Sequence, residues 1–348
     1  MTRILATATL ATTTALALLA APALAADTIA AVGSWSSLPL HKDFETPYWT
    51  ETLPGAADVE VQLTTFDQMG VAGGDVFRLL GDGVFDVGMT VADYTVGDAP
   101  ELEGLDVPLV ATDAETARAM VDAARPMVED IMAERFGAKL LAIAPYPPQI
   151  VFCNAEIGGL SDLEGLKIRG SGRMTTKLLE ALGAEGVNVD FGEVPGALER
   201  GVVDCAVTGS GSGYSAGWHE VSTHLLPLPL GGWDPVVTAM NMDKWESLPD
   251  ETRAAIESSI RESFEGPAWD AAGSSLQNDI NCLTGSGECA SGEPASMTLV
   301  EATSADEETA REALVGTVLP DWASRTDEAY VTRWNDTVGE VVGVKAGG

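Results

Sequence analysis

Gly213-Tyr214-Ser215-Ala216-Gly217 has the G-x-S-x-G spacing that lifts a serine nucleophile onto a sharp strand-to-helix turn. Serine hydrolysis there needs an acid and then a histidine further along the chain. The histidines are His41, His219 and His224. The last two follow Ser215 too closely to admit the intervening acid, so a flexible Gly/Ser loop explains the match. Gly209, Gly211 and Gly213 suggest a phosphate cradle, as does Gly170-Ser171-Gly172, but neither completes G-x-G-x-x-G and no Walker lysine follows. Three separated histidines offer no metal cluster, and the four cysteines contain no C-x-x-C pair. No metal and no cofactor is expected, and binding is favoured over catalysis.

The positive signal lies in Asp162-Leu163-Glu164-Gly165-Leu166-Lys167-Ile168-Arg169. It reads as a turn feeding a strand that ends at Arg169, with Gly170-Ser171-Gly172 and a helix after it. Strand ends of an open α/β sheet line its ligand crevice. A guanidinium there can hold a carboxylate through two parallel hydrogen bonds. A surface ion pair fits the same spacing equally well. Trp218 and Trp233 follow strand ends and read either as a ring wall for a ligand or as packing. Tyr94 supplies a hydroxyl or packs, and Trp35 stands just past the first strand.

Short apolar strands alternate with amphipathic helices to place these side chains. Strands are predicted over 28–33, 59–63, 84–89, 139–144, 150–153, 166–169, 187–190, 202–207 and 236–242. Helices are predicted over 75–80, over 113–136 with Pro126 as a kink or junction, around 174–182, and over 195–200. The S-x-x-D pattern of Ser247 to Asp250, with Pro249 just inside, reads as a capped helix start. The alternation implies parallel pairing. Pro145-Tyr146-Pro147-Pro148 reads as a crossover between two units. The C-terminal third reads as helical and acidic, and no internal repeat is evident.

The 348 residues carry 19 Lys and Arg against 53 Asp and Glu, a net charge of −34. That balance argues against nucleic acid and anionic membrane surfaces as partners. Residues 1–25 read as a cleaved signal peptide: Arg3, a run of apolar and small residues, then Ala23-Leu24-Ala25. No later run is long enough to span a membrane, so a soluble exported protein, by default a monomer, is expected. Export permits disulfides. Cys282 and Cys289 flank the short loop LTGSGE and are predicted to be bridged. Cys153 and Cys205 are left as buried thiols or a second bridge.

The DLEGLKIR stretch resembles the substrate-binding proteins of tripartite ATP-independent periplasmic (TRAP) transporters. So does the later Phe191-Gly192-Glu193-Val194-Pro195-Gly196-Ala197-Leu198 with Arg200-Gly201-Val202-Val203-Asp204. Phe66-Asp67-Gln68-Met69-Gly70, Leu80-Gly81-Asp82-Gly83-Val84-Phe85-Asp86, Asp106-Val107-Pro108-Leu109 and Trp245-Glu246-Ser247-Leu248-Pro249 are similar to further landmarks of that family, in the same order. The resemblance implies an α/β, two-lobed Venus-flytrap fold with hinge strands and a helical C-terminal region. The lobes expected are 26–146 with 232–262, and 147–231 with 263–348. It implies a periplasmic receptor that closes on a small organic acid and docks on an integral-membrane permease, without catalysis.

By the same resemblance Arg169 makes a salt bridge with the ligand carboxylate, and Phe191 and Thr208 line the second lobe. Trp35, Gln68, Thr90, Val91 and Tyr94 face the cleft from the first lobe. Gln149 stands where a sialic-acid-binding branch has a second arginine, which argues against sialic acid here. Trp233 is retained as a cleft candidate, and Asp204 is read as structural. Arg169→Ala is expected to abolish tight binding and leave the fold intact. The alternatives are a binding protein of an ABC importer, a sensor-linked receptor and a secreted hydrolase using Ser215.

Overall fold

The computed structural model describes residues 27–347; the expected signal peptide lies outside them. The strands, in chain order, are β1 (Asp27–Gly33), β2 (Val59–Thr65), β3 (Val87–Val91), β4 (Ala138–Ala144), β5 (Gln149–Cys153), β6 (Lys167–Arg169), β7 (Glu185–Val187), β8 (Cys205–Gly209), β9 (His224–Leu226), β10 (Val236–Asn241) and β11 (Thr298–Leu299). They form two sheets, β2-β1-β3-β10-β4 and β11-β9-β5-β8-β6-β7. Every residue of β3, β5, β8 and β10 is buried. Helices and turns cover both faces of these strands, which is why they read as continuous apolar runs.

The expected parallel pairing holds for only part of each sheet. β1 runs parallel to β2 and β3, and β6 runs parallel to β7 and β8. β10 lies antiparallel to β3 and β4, and β5 lies antiparallel to β8 and β9. The antiparallel strands are those that adjoin the two crossovers between the sheets, so local alternation carries no signal for them. The crossovers run side by side. Tyr146 N–H donates to Trp233 O at 2.9 Å, and Gln149 N–H to Gly232 O at 3.2 Å. These paired segments form the hinge.

A repeat hidden in the sequence becomes visible in the sheets, since β2-β1-β3 and β7-β6-β8 share one parallel order. Each has the same turn before its third strand. Gly83 (φ 71°) precedes Val84-Phe85-Asp86, and Gly201 (φ 67°) precedes Val202-Val203-Asp204. Positive φ suits glycine at both turns. Asp86 Oδ2 accepts the Ala30 amide at 2.8 Å, and Asp204 Oδ2 accepts the Lys167 amide at 2.8 Å. Asp204 thus ties two strands together.

Helix Ala114–Phe136 is a single element. Pro126 does not divide it, because the ring sits on the exposed face, where water can serve the carbonyl it leaves free. Helix Asp250–Ile260 starts after Pro249 with no side-chain cap. Ser247 instead donates to Lys244 O at 2.7 Å, closing the preceding helix Met242–Ser247. The C-terminal helices, expected with the second sheet, touch both halves. Leu314–Val318 packs on helix Arg173–Ala181. Arg325 grips Glu103 with two 2.8 Å bonds, and the indoles of Trp322 and Trp334 donate to Pro100 O and Gly104 O. Cys282–Cys289 is bridged as expected. Cys153 and Cys205 are bridged as well, directly opposed on the antiparallel pair β5 and β8.

Candidate ligand-binding site

The carboxyl ends of the parallel strands point at one another across a cavity of about 830 Å³, which is in the range of small-molecule sites. From the first sheet, β1 delivers Trp35, β2 delivers Phe66 and Asp67, and β3 delivers Asp93 and Tyr94. From the second, β6 delivers Arg169 and the Gly170-Ser171-Gly172 turn. The segment after β7 delivers Asn188, Val189, Asp190 and Phe191. A strand was expected to continue through 187–190. β7 stops at Val187 instead, which frees the following residues to line the cavity.

Arg169 is only 3% exposed. Its Nε donates to Val189 O at 3.0 Å and its Nη1 to Val207 O at 2.8 Å. Among the described residues no carboxylate forms an ion pair with it. Burial pulls its proton affinity down, while the neighbouring Tyr94 and Asp234 act in the opposite sense. The guanidinium stays cationic because an arginine starts so far above neutrality. A buried, unpaired cation in a cavity wall is a site built for an anion, held in place by the two carbonyls. The same two bonds give the guanidinium a structural share as well, since removing it strands both acceptors.

Aromatic rings cross from one half to the other beside it. Trp35 meets Phe66 edge-on at 4.8 Å and Phe191 at 5.2 Å, and Phe191 meets Trp218 at 5.4 Å. The Trp35 indole donates to the Tyr94 hydroxyl at 3.2 Å. Trp218 is fully buried behind Phe191, so it packs rather than walls the cavity.

Of the predicted site residues, Arg169, Trp35, Tyr94 and Phe191 line the cavity. The others stand elsewhere. Gln68 is exposed, and its neighbours Phe66 and Asp67 face the cavity in its place. Thr90 is buried and donates to Gly73 O at 2.9 Å. Val91 and Thr208 are buried within their strands. Gln149 is buried at the hinge, where its Nε2 donates to Asp106 Oδ2 at 3.1 Å. Trp233, also at the hinge, donates to Ala111 O at 2.8 Å. Ser215 is exposed at the end of its helix and bonds to neither a histidine nor a carboxylate among the described residues.

Sequence reasoning missed the carboxylates. Asp67 is held below the usual carboxylate range: burial pushes it up, but hydrogen bonds from Ser36 and Thr65 outweigh that. Asp93 is pushed well above it by burial and by Asp106, Glu103 and Asp234. Asp234, at φ 46°, is raised by burial and by Asp106, with Arg169 opposing. Asp106 is raised by burial against the bonds it accepts from Asp234, Gln149 and Trp233. Asp93 follows β3 as Arg169 ends β6, but among 53 acidic residues a strand-end position alone does not single it out.

The model of the bacterial extracellular solute-binding proteins, family 7, matches residues 39–282. The ectoine-binding periplasmic protein TeaA of Halomonas elongata is 26% identical over 217 residues, or 60% of this chain. That match spans 62% of TeaA, less than two thirds of its length. Among solved structures, DctP7 is a Bordetella pertussis extracytoplasmic solute receptor binding pyroglutamic acid. It superposes with a TM-score of 0.79 at 17% identity, covering 90% of this chain and all of that one. A TRAP solute-binding protein from an unidentified marine microbe, specific for aromatic acid ligands, superposes with a TM-score of 0.74 at 23% identity. It covers 91% of this chain and 98% of its own. No helix among the described residues is long and apolar enough to cross a membrane. A two-sheet fold, a hinged cavity between the sheets and a family model matched over most of the length agree: this chain belongs to the bacterial extracellular solute-binding proteins, family 7.

Proposed function

We propose that the chain is the periplasmic receptor of a TRAP transporter, which closes on a small organic carboxylate and delivers it to the membrane permease. The observation that carries the reading is Arg169, a buried guanidinium with no carboxylate partner, set in the wall of an inter-lobe cavity. In an open form the guanidinium is hydrated and pairs weakly. Closure removes water, lowers the local dielectric and strengthens the ion pair. The ring row from Phe66 through Trp35 to Phe191 spans both lobes, so closure also completes an aromatic wall. Similar receptors take pyroglutamic acid and 3-hydroxybenzoate, and we extend that chemistry, a compact acid with a ring or short chain, to this site. The reading includes export by a cleaved signal peptide, function as a monomer, and no turnover of the ligand.

Thermal unfolding against millimolar organic acids, amino acids and neutral solutes tests it. A ligand at about 1,000 times its dissociation constant adds about 4 kcal/mol, which raises the melting midpoint by several degrees. Shifts confined to carboxylate-bearing solutes support the reading. Shifts from neutral sugars alone, or no shift from any carboxylate with the protein folded and ligand-free, overturn it.

A further inference from the structure

Four buried carboxyl groups meet where the two lobes join. Asp93 follows β3, Glu103 and Asp106 come from the segment after it, and Asp234 stands in the second crossover. Asp106 is built into the hinge. Its Oδ1 accepts the Asp234 amide at 2.7 Å, and its Oδ2 accepts Gln149 Nε2 from the end of the first crossover at 3.1 Å. Gly232 lets the second crossover pass this close, since a Cβ there would lie 2.1 Å from Asp106 Oδ1. Asp93 reaches across to the other lobe. A Cβ on Gly172, just before helix Arg173–Ala181, would lie 1.1 Å from its Oδ2.

The cluster is short of cations. Arg325 holds Glu103 through two bonds. Asp93 faces Asp106, Glu103 and Asp234, and the Arg173 amide is what favours its charge. Asp234 faces Asp106, with Arg169 as the opposing cation. The Tyr94 and Tyr146 hydroxyls also face Asp234, and burial keeps both phenols neutral. Arg173 and Lys177 line the cavity, but neither forms an ion pair with these four groups among the described residues. Like charges packed in a dry hinge cannot all ionise. Asp93 Oδ1 and Asp234 Oδ1 are both buried without a hydrogen-bond partner, which costs a neutral carboxyl less than a carboxylate.

We infer that lobe closure takes up protons: the closed hinge holds this carboxyl cluster protonated, opening gives the protons back to water, and ligand affinity therefore falls as pH rises. The inference rests on the carboxylate-receptor reading above and adds the regulation of that site. The sign follows from the closed geometry. Asp93, Asp106 and Asp234 are all raised above the usual carboxylate range, burial being the first cause in each. Opening withdraws Asp93 from the second lobe and lets water between the lobes, so the carboxyls move back toward their ordinary values. Affinity is then highest at acid pH and is lost as pH rises through the raised values. A ligand carboxylate on Arg169 reinforces the effect, because it offsets the cation that opposes a proton on Asp234.

Titration calorimetry on the full mature chain tests this between pH 6.5 and 8.5, where a carboxylate ligand does not itself titrate. The probes are pyroglutamate, 3-hydroxybenzoate and any acid that the thermal panel identifies. Affinity should fall about three- to tenfold per pH unit, the range for an uptake of half to one proton. Buffers of different ionisation enthalpy should show that proton moving onto the protein. In Asp93→Asn and in Asp234→Asn the slope should drop by at least half. Should those variants fail to fold, the sign in the wild type decides. Binding that is independent of pH, that releases protons, or whose slope survives in both variants overturns the inference and leaves the acid-receptor reading standing. Silence from the probes and from every carboxylate in the thermal panel overturns both.

Discussion

Replacing Arg169 separates binding from folding, because the side chain serves both. Arg169→Ala removes the charge that a ligand carboxylate meets in a dry cavity. Truncating one partner of a buried charge pair costs about 2–5 kcal/mol, much of it from the charge left behind. At about 1.4 kcal/mol per tenfold, this is a loss of about 30-fold to several-thousand-fold in affinity. The substitution also strands Val189 O and Val207 O, the acceptors of Nε and Nη1. Each buried acceptor without a donor costs about 1–3 kcal/mol. The adjoining cavity admits water to them, so a stability loss near the lower end, about 2 kcal/mol in total, is expected. Arg169→Lys keeps the charge but cannot hold two carbonyls and a bidentate carboxylate together, and it should recover only part of either loss. Calorimetric titration with the best acid from the thermal panel, alongside urea unfolding of the three proteins, measures both. An Arg169→Ala protein that melts cooperatively and binds that acid within threefold of wild type refutes the assignment.

Gly172→Ala should hold the lobes apart, since the new Cβ and Asp93 cannot share the space. The checks are ligand affinity, expected to fall at least about tenfold, and a larger radius of gyration by small-angle scattering in the presence of ligand. Removing the Cys153–Cys205 bridge frees a loop of 52 residues. The chain-entropy model puts this at about 4 kcal/mol, so the Cys153→Ala, Cys205→Ala double variant should melt several degrees lower, and an unchanged melt would contradict the bridge. The ligand-free protein should lose stability as pH rises from about 4 to about 8. Asp234 is raised to about 8 in the fold, and its ordinary value is near 3.8, so the folded state carries the extra proton across that window. Each such proton changes stability by about 1.4 kcal/mol per pH unit. Melting curves at pH 5 and pH 8 test the sign, and Asp234→Asn should flatten the slope.

Arg169 was legible because it ends a strand inside an ordered series of landmarks, and the same series carried the two-lobed fold. The neighbours it placed in the cleft were less secure for geometric reasons. Gln68 sits one residue past Asp67 on a short helix, and each helical step turns a side chain by about 100°. Thr208 is buried in β8, no residue of which lines the cavity, so a motif can be matched correctly and still name a strand that packs in the core. Gln149 and Trp233 belong to crossovers whose pairing joins residues more than 80 apart, beyond any local pattern. The Cys153–Cys205 bridge needed the register of β5 on β8. Asp93 was hidden by numbers: among 53 acidic residues, one more after a strand carries no contrast. What distinguishes it is a missing partner, and only packing displays that.

The net charge of −34 bears on what this cleft can capture. A free anion approaches against the protein's own field, which salt screens within about 8–10 Å at physiological strength. Capture therefore depends on short-range contacts inside the cleft, where Arg169 is the cation a carboxylate meets. Closure also brings Asp93 to the amino-terminal end of helix Arg173–Ala181, where the Arg173 amide favours the charged carboxylate. Asp93 belongs to the first lobe and that helix to the second. That contact exists only when the lobes are together, so the charge state of Asp93 enters the balance between open and closed forms.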